Sequence, residues 1–368
     1  MEFLPSEIAI YPIFLAAFTV AYLSIPSIVR VARQKKFFDD PSHRKSHCRQ
    51  IPTLGGIAIF AGFTISAGTL INYETAPSLQ YILVACIIIF FIGIKDDIQV
   101  LAPQKKLLGQ IIAALILIIP GDLHFTSLHG FLRIFEFDSQ IASMFITLFV
   151  IILIINSLNL IDGIDGLASS IGILATIFFG SWFYISGNID YSLVSAAILG
   201  SLLGFFRFNL SNGKYKIFMG DTGSMLVGLL LVVQVIMFNE LNIQTTPFSI
   251  KSAPVVSFAV LIIPLYDTLR VFIIRMSRGR SPFVADKNHL HHCMLKLGFS
   301  HVQATLLIVL VNICFIALSL LLQNINMYLL ILIILILATS LSLYLEKAVR
   351  KNGNHVMKKN SQEEEILN

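Results

Sequence analysis

Asn156, Asn159, Asp162 and Asp165 stand at three-residue intervals beside a stretch that is otherwise apolar. Steps of three keep side chains on one face of a helix. Asp162-Gly163 and Asp165-Gly166 then interrupt that helix with backbone able to approach a ligand closely. Asp96 and Asp97 follow the apolar run 79–95 directly. Two adjacent carboxylates there repel each other, and a bound cation or a proton-transfer role would account for them. Asp221, in Phe218-Met219-Gly220-Asp221-Thr222-Gly223-Ser224, opens a further apolar run. A carboxylate among small residues suits Mg²⁺, which takes one or two carboxylates and completes its shell with phosphate oxygens. Plain helix capping by Asp221 or Thr222 is the simpler alternative. Lys105, Lys106 and Gln110 begin the next apolar run, where an anionic lipid headgroup would lie.

Two basic segments add to this set. Asp39-Asp40-Pro41-Ser42-His43-Arg44-Lys45 leads to Gly55-Gly56, a combination that can hold phosphate through charge and free backbone N–H groups or serve as an ordinary basic loop. Arg275, Arg278 and Arg280 precede His289, His291 and His292. Guanidinium and imidazole groups suit a pyrophosphate under attack. A zinc site using these histidines and Cys293 is the rival, but zinc needs its ligands at defined spacing, and such crowded neighbours cannot all reach one ion. Phe218 can stack on a base or pack against its neighbours.

The elements that carry these residues are membrane spans. Of 368 residues, 56% are hydrophobic and 13% charged, with a mean hydropathy of +0.82; soluble domains carry about 25% charged residues. Apolar runs at 8–29, 54–73, 79–95, 106–120, 140–158, 167–186, 191–207, 222–239, 253–274, 302–322 and 327–346 predict an all-α polytopic integral membrane protein with about eleven transmembrane helices. One catalytic domain covers 1–346, and a polar tail covers 347–368. All of the 26 Lys and Arg except Arg133 and Lys251 fall on alternate connections or on the tail. The positive-inside rule therefore puts the N-terminus outside and the C-terminus in the cytoplasm. The same bias explains the pI near 9.0 without a nucleic-acid partner. The first run, followed by Arg30, Arg33, Lys35 and Lys36, reads as a retained span rather than a signal peptide. Cys48, Cys86, Cys293 and Cys314 form no disulfide framework. A transporter would also have many spans, but no inverted pairing of broken spans is visible, and the acids gather at one interface instead of the midplane.

Taken together, Asp39-Asp40-Pro41 with Pro52…Gly55-Gly56, Lys95-Asp96-Asp97, Asn156…Asn159…Asp162-Gly163…Asp165-Gly166, Phe218…Ser224 and His289…His291-His292 resemble the polyprenyl-phosphate N-acetylhexosamine-1-phosphate transferase family. The resemblance implies a bacterial inner-membrane enzyme with its active site on the cytoplasmic face. Undecaprenyl phosphate attacks the β-phosphorus of a UDP-N-acetylhexosamine, and UMP leaves. It implies Asp96 and Asp97 near the reacting phosphates. Asp221 is the leading Mg²⁺ (or Mn²⁺) ligand, with Asn159 or Asp162 beside it. Asp165, Asn209 and Phe218 would belong to the uridine pocket, and His289, His291, His292 and Arg280 to the pyrophosphate or sugar. Lys106 would hold the lipid phosphate. A homodimer is among the expected assemblies. Leu290 interrupts the histidine run that the phospho-MurNAc-pentapeptide branch carries unbroken, and Arg278-Gly279-Arg280-Ser281-Pro282-Phe283 is similar to the WecA/TagO branch. GlcNAc-1-phosphate is therefore the expected group transferred, with the pentapeptide substrate as the alternative.

Overall fold

A computed structural model describes residues 8–37, 51–244, 246–277, 279 and 289–367, without the side chains of 132 and 352–367. The segment Asp39–Arg44 and Arg280 lie outside the described residues. Among the described residues the chain is helical, with no strand. The helices are α1 (Ile10–Lys35), α2 (Gly55–Leu70), α3 (Leu79–Ile98), α4 (Pro103–Ile118), α5 (Gln140–Ile161), α6 (Leu167–Ile185), α7 (Ile189–Asn209), α8 (Gly220–Leu241), α9 (Ala253–Val260), α10 (Ile262–Ser277), α11 (Leu290–Lys296), α12 (His301–Leu321) and α13 (Met327–Leu367).

Every predicted span falls on a helix or on the pair α9–α10, so the all-α membrane architecture stands. Among the described residues, seven helices are long and apolar enough to cross a membrane, or eight if the bent pair counts as one span. The sequence reading expected about eleven. Helices α2 and α4 have 16 residues each, about 24 Å at 1.5 Å per residue, which falls short of a hydrocarbon core of about 30 Å.

Helix α8 is the axis of the bundle. Its best apolar window is 83% buried, against 22% for α13. It packs against α2, α3, α5, α6, α7 and α9. Such burial needs a helix apolar all round, and Met225 to Val233 supply it without a charged residue. The few polar groups at this depth are paired: Gln234 donates to Ser195 Oγ at 2.7 Å and accepts from Thr176. The start of α8 is crowded by design. A Cβ on Gly56 would lie 2.2 Å from Gly223 N, and one on Gly93 would lie 2.3 Å from Thr222 Cα. Gly55 and Gly56 donate their N–H groups to Phe218 O and Met219 O, both at 2.9 Å, and Phe218 N donates to Pro52 O at 2.8 Å. The ends of α2 and α3 are thereby fixed against the first turn of α8.

The α9–α10 pair bends by 81° at Leu261. This bend, of a broken span or a re-entrant loop, was not anticipated in the apolar run 253–274. Among the described residues it has no second broken span to pair with. Pro264 lies in the first turn of α10, where its missing N–H is tolerated. Buried Asn312 of α12 donates to Val260 O at 3.0 Å, satisfying a carbonyl beside the break.

Candidate active site

The last turn of α3 meets the first turn of α8. Asp97 Oδ1 accepts the Asp221 N–H at 2.7 Å, and Oδ2 accepts Thr222 N–H at 3.1 Å and Thr222 Oγ1 at 2.5 Å. Helix N-termini leave N–H groups unsatisfied, so Asp97 caps α8 from a neighbouring helix. Both of its oxygens are engaged by the first turn of α8, Oδ1 by Asp221 and Oδ2 by Thr222. Asp96 turns the other way. Its Oδ1 accepts Leu101 N–H at 2.6 Å, and its Oδ2 lies 2.9 Å from Lys106 Nζ.

Lys106 of α4 is the hub. Its Nζ is also 3.2 Å from Asp221 Oδ1 and 3.2 Å from Asn159 Oδ1. Asn159 Nδ2 donates to Asp221 Oδ1 and, at 2.9 Å, to Ser224 Oγ. One turn back on α5, Asn156 donates to Gln110 Oε1 at 2.7 Å and ties α5 to α4. Asp162 caps the far end of α5. Burial, then the charges of Asp221, Asp97 and Asp165, push its carboxyl up to about 8. The acids of this end thus outnumber the single ammonium among them.

The second Asp-Gly pair makes a separate wall. Gly166 adopts φ +78°, open to glycine and strained for other residues. Its N–H donates to Asn209 Oδ1 at 2.8 Å, and Asn209 Nδ2 donates to Ile217 O at 3.0 Å. Lys216 Nζ is 2.6 Å from Asp165 Oδ2, and His301 Nδ1 is 3.5 Å from the same oxygen. Burial raises the Asp165 carboxyl, but hydrogen bonds from His301 and Lys216 and their charges outweigh it and hold the group below its ordinary value. Thr305 Oγ1 donates to Asp165 O at 2.9 Å. The Lys216 ammonium is 5.8 Å from the half-buried Phe218 ring.

The histidines join this wall through α11. His291 is buried, and neither ring nitrogen has a hydrogen-bond partner in the structure. Its Nε2 faces Gly163, where an added Cβ would come within 2.2 Å. Burial and neighbouring His292 lower its basicity to about 3. The His289 and His291 rings lie parallel within 8°, with centroids 5.7 Å apart. His289 Nδ1 is 2.9 Å from Asp267 Oδ2, an arrangement that fixes a tautomer and ring orientation.

The cation expected from the sequence fits this donor set. Asp96, Asp221 and Asn159 present oxygens that already converge on positive charge, the Lys106 ammonium, and hard oxygen donors suit Mg²⁺. Among the described residues no group of three or more His, Cys, Asp or Glu is arranged to hold a metal. Phosphate oxygens would therefore complete the shell.

Asp96, Asp97, Lys106, Asn159 and Asp221 form one network, with Asp162 within charge range. Asp165, Asn209 and Phe218 form the adjoining wall, and His291 touches the Asp162-Gly163 turn. Asn209 uses its amide to tie two loops together. The sequence reading did not single out Lys216, His301, Thr305, Arg270 or Glu346. Lys216 stands two residues before the motif that begins at Phe218; His301 begins α12 behind the Ser300 capping box and gave no local signal.

A family model described as glycosyl transferase family 4 matches residues 79–239, from the start of α3 to near the end of α8. The chain is 30% identical over 283 residues to the undecaprenyl-phosphate alpha-N-acetylglucosaminyl 1-phosphate transferase of Escherichia coli (strain K12), covering 76% of this chain and 75% of that one. The protein of that name from Yersinia pestis is 29% identical over 300 residues, covering 81% and 80%. A probable undecaprenyl-phosphate N-acetylglucosaminyl 1-phosphate transferase of Bacillus subtilis (strain 168) is 31% identical over 314 residues, covering 84% of each.

Proposed function

Because the chain belongs to the polyprenyl-phosphate N-acetylhexosamine-1-phosphate transferase family, we propose that it transfers GlcNAc-1-phosphate from UDP-GlcNAc to undecaprenyl phosphate. The products are UMP and a membrane-bound lipid-diphospho-sugar, the first membrane step of cell-surface polysaccharide synthesis. The observation that carries this reading is the convergence of Asp96, Asn159 and Asp221 on Lys106 at the ends of four helices, beside the acid-lined Asp162–Asp165 turn.

In the reaction an oxygen of the lipid phosphate bonds to the β-phosphorus. The bond from that phosphorus to the bridging oxygen breaks, and its electron pair leaves with UMP. Such a displacement needs alignment and charge neutralisation more than covalent help. Lys106 binds the lipid phosphate. Asp96, bonded to that ammonium, accepts any proton the phosphate carries. Asp97 holds Asp221 in register. Asp221, with Asn159 or Asp162 beside it, would hold Mg²⁺ or Mn²⁺, which when bound supplies the positive charge that the phosphates require. Asp165, Lys216 and Phe218 form the side that receives the uridine. The imidazoles at the start of α11 would meet the pyrophosphate or sugar, the role that the resemblance also gives to Arg280. The basic connections support a centre on the cytoplasmic face of the inner membrane, by the positive-inside rule.

The test is UMP release by the purified protein in detergent, across a panel of UDP-sugars. Release requires undecaprenyl phosphate, is fastest with UDP-GlcNAc, and stops in EDTA until Mg²⁺ or Mn²⁺ is restored. Absence of release with every donor contradicts the activity. Release after exhaustive chelation removes the metal from it.

A further inference from the structure

The His289 side chain is the end of a polar relay that starts at half-buried Glu346 on the C-terminal helix. Glu346 of α13 accepts from Arg270 Nη1 of α10 at 2.6 Å. Arg270 Nη2 lies 3.1 Å from Asp267 Oδ1, one turn back on the same helix. Asp267 takes His289 Nδ1 at 2.9 Å on one oxygen and the Leu290 N–H at 3.0 Å on the other. Asp267, Arg270 and His289 are 2%, 8% and 4% exposed. A buried carboxylate reaching both the ring and the first amide of α11 sets the angle at which that helix leaves the loop. A guanidinium shared between two carboxylates is held in a single orientation by its planar fork.

We infer that Glu346, acting through Arg270 and Asp267, is a positioning residue for His289, so that the final helix of the chain helps to aim an imidazole at the reacting phosphates. The inference rests on the transferase reading. It adds that a residue outside the matched region 79–239, and 76 positions from its Arg270 partner, controls turnover. Glu346 touches no substrate. Its other carboxylate oxygen is 3.9 Å from Arg350 Nη2, whose side chain is 79% exposed, and that solvated pair is a natural control.

The experiment measures kcat and KM for UDP-GlcNAc in the full-length protein, with thermal unfolding followed alongside. Glu346→Gln lowers kcat about tenfold and leaves KM and Tm close to wild type. Glu346→Asp recovers part of kcat. Arg270→Gln lowers kcat at least as far, and adding Glu346→Gln to it has no further effect, because Glu346 acts only through Arg270. Arg350→Gln changes neither constant. Additive losses in the double variant, or an unchanged kcat in Glu346→Gln, overturn the relay. If Glu346→Gln fails to fold, Glu346→Asp with lowered kcat and unchanged KM keeps the inference, and wild-type kcat in that variant overturns it. An inactive wild type would instead overturn the transferase reading, so the two failures are distinct.

Discussion

Asp221 and Asp162 share a surplus of negative charge, and that surplus gives each a signature in stability as well as in turnover. The Asp162 carboxyl, raised to about 8 by burial and by Asp221, Asp97 and Asp165, holds its proton in the folded protein over a range where the unfolded chain, near 3.9, has lost it. The folded state therefore binds more protons between about pH 4 and pH 8, and stability declines as pH rises through that window. Asp162→Asn removes this penalty. In metal-free protein its Tm is expected to exceed wild type by roughly 2–4 °C at pH 8 and by less at pH 5, while turnover falls; scanning calorimetry at the two pH values checks this. An equal difference at both would mean that charge is not the cause. The sequence showed these acids because carboxylates next to apolar runs stand out. It did not show that Asp97 spends both oxygens on the α8 amides, because the direction a side chain takes is settled by the neighbour across the bundle.

At the scale of elements, the site depends on two close approaches. A methyl group at Gly93 would meet Thr222 Cα at 2.3 Å, whereas one at Gly68 would meet nothing nearer than 3.5 Å. Gly93→Ala forces α3 from α8 and breaks the Asp97 cap, at a cost of about 1–3 kcal/mol and more than tenfold in kcat. Gly68→Ala, in an open part of α2, costs little in either; denaturation midpoints and initial rates of the two variants make the comparison. Gly163→Ala brings a methyl against His291 Nε2 and separates the histidine helix from the Asp-Gly turn. Its kcat is expected to drop about tenfold or more while the apolar bundle keeps its Tm, and an unchanged kcat would detach α11 from the centre. The helices were legible from hydropathy, and Gly55-Gly56 from their motif. The break at Leu261 was not: Val260 to Pro264 is apolar throughout, and what makes the bend tolerable is Asn312, 52 positions away.

For the whole molecule, alternation of charge is the sequence signal with the longest reach. It groups Asp97 and Asp162, at the C-terminal ends of α3 and α5, with Asp221 and the histidines, at the N-terminal ends of α8 and α11, and the structure brings these ends together. Contacts such as His301 to Asp165, 136 positions apart, had no local trace, since pairing at that distance is decided by packing. The orientation has its own test. Single cysteines at Lys105 and Lys351 are expected to react only with reagent admitted to the inside of sealed vesicles, and those at Arg133 and Lys251 with reagent added outside.

On the proposed function, one charged centre built on Asp96, Lys106, Asn159 and Asp221 performs the transfer. The most direct measurement is UMP release and lipid-linked product formation in proteoliposomes containing undecaprenyl phosphate, comparing wild type with Asp96→Asn and Asp221→Asn. Wild type is expected to form one lipid-linked sugar per UMP, and each folded variant to lose at least about a thousandfold in rate. Wild-type rates in both variants, with UDP-GlcNAc consumed, would contradict it.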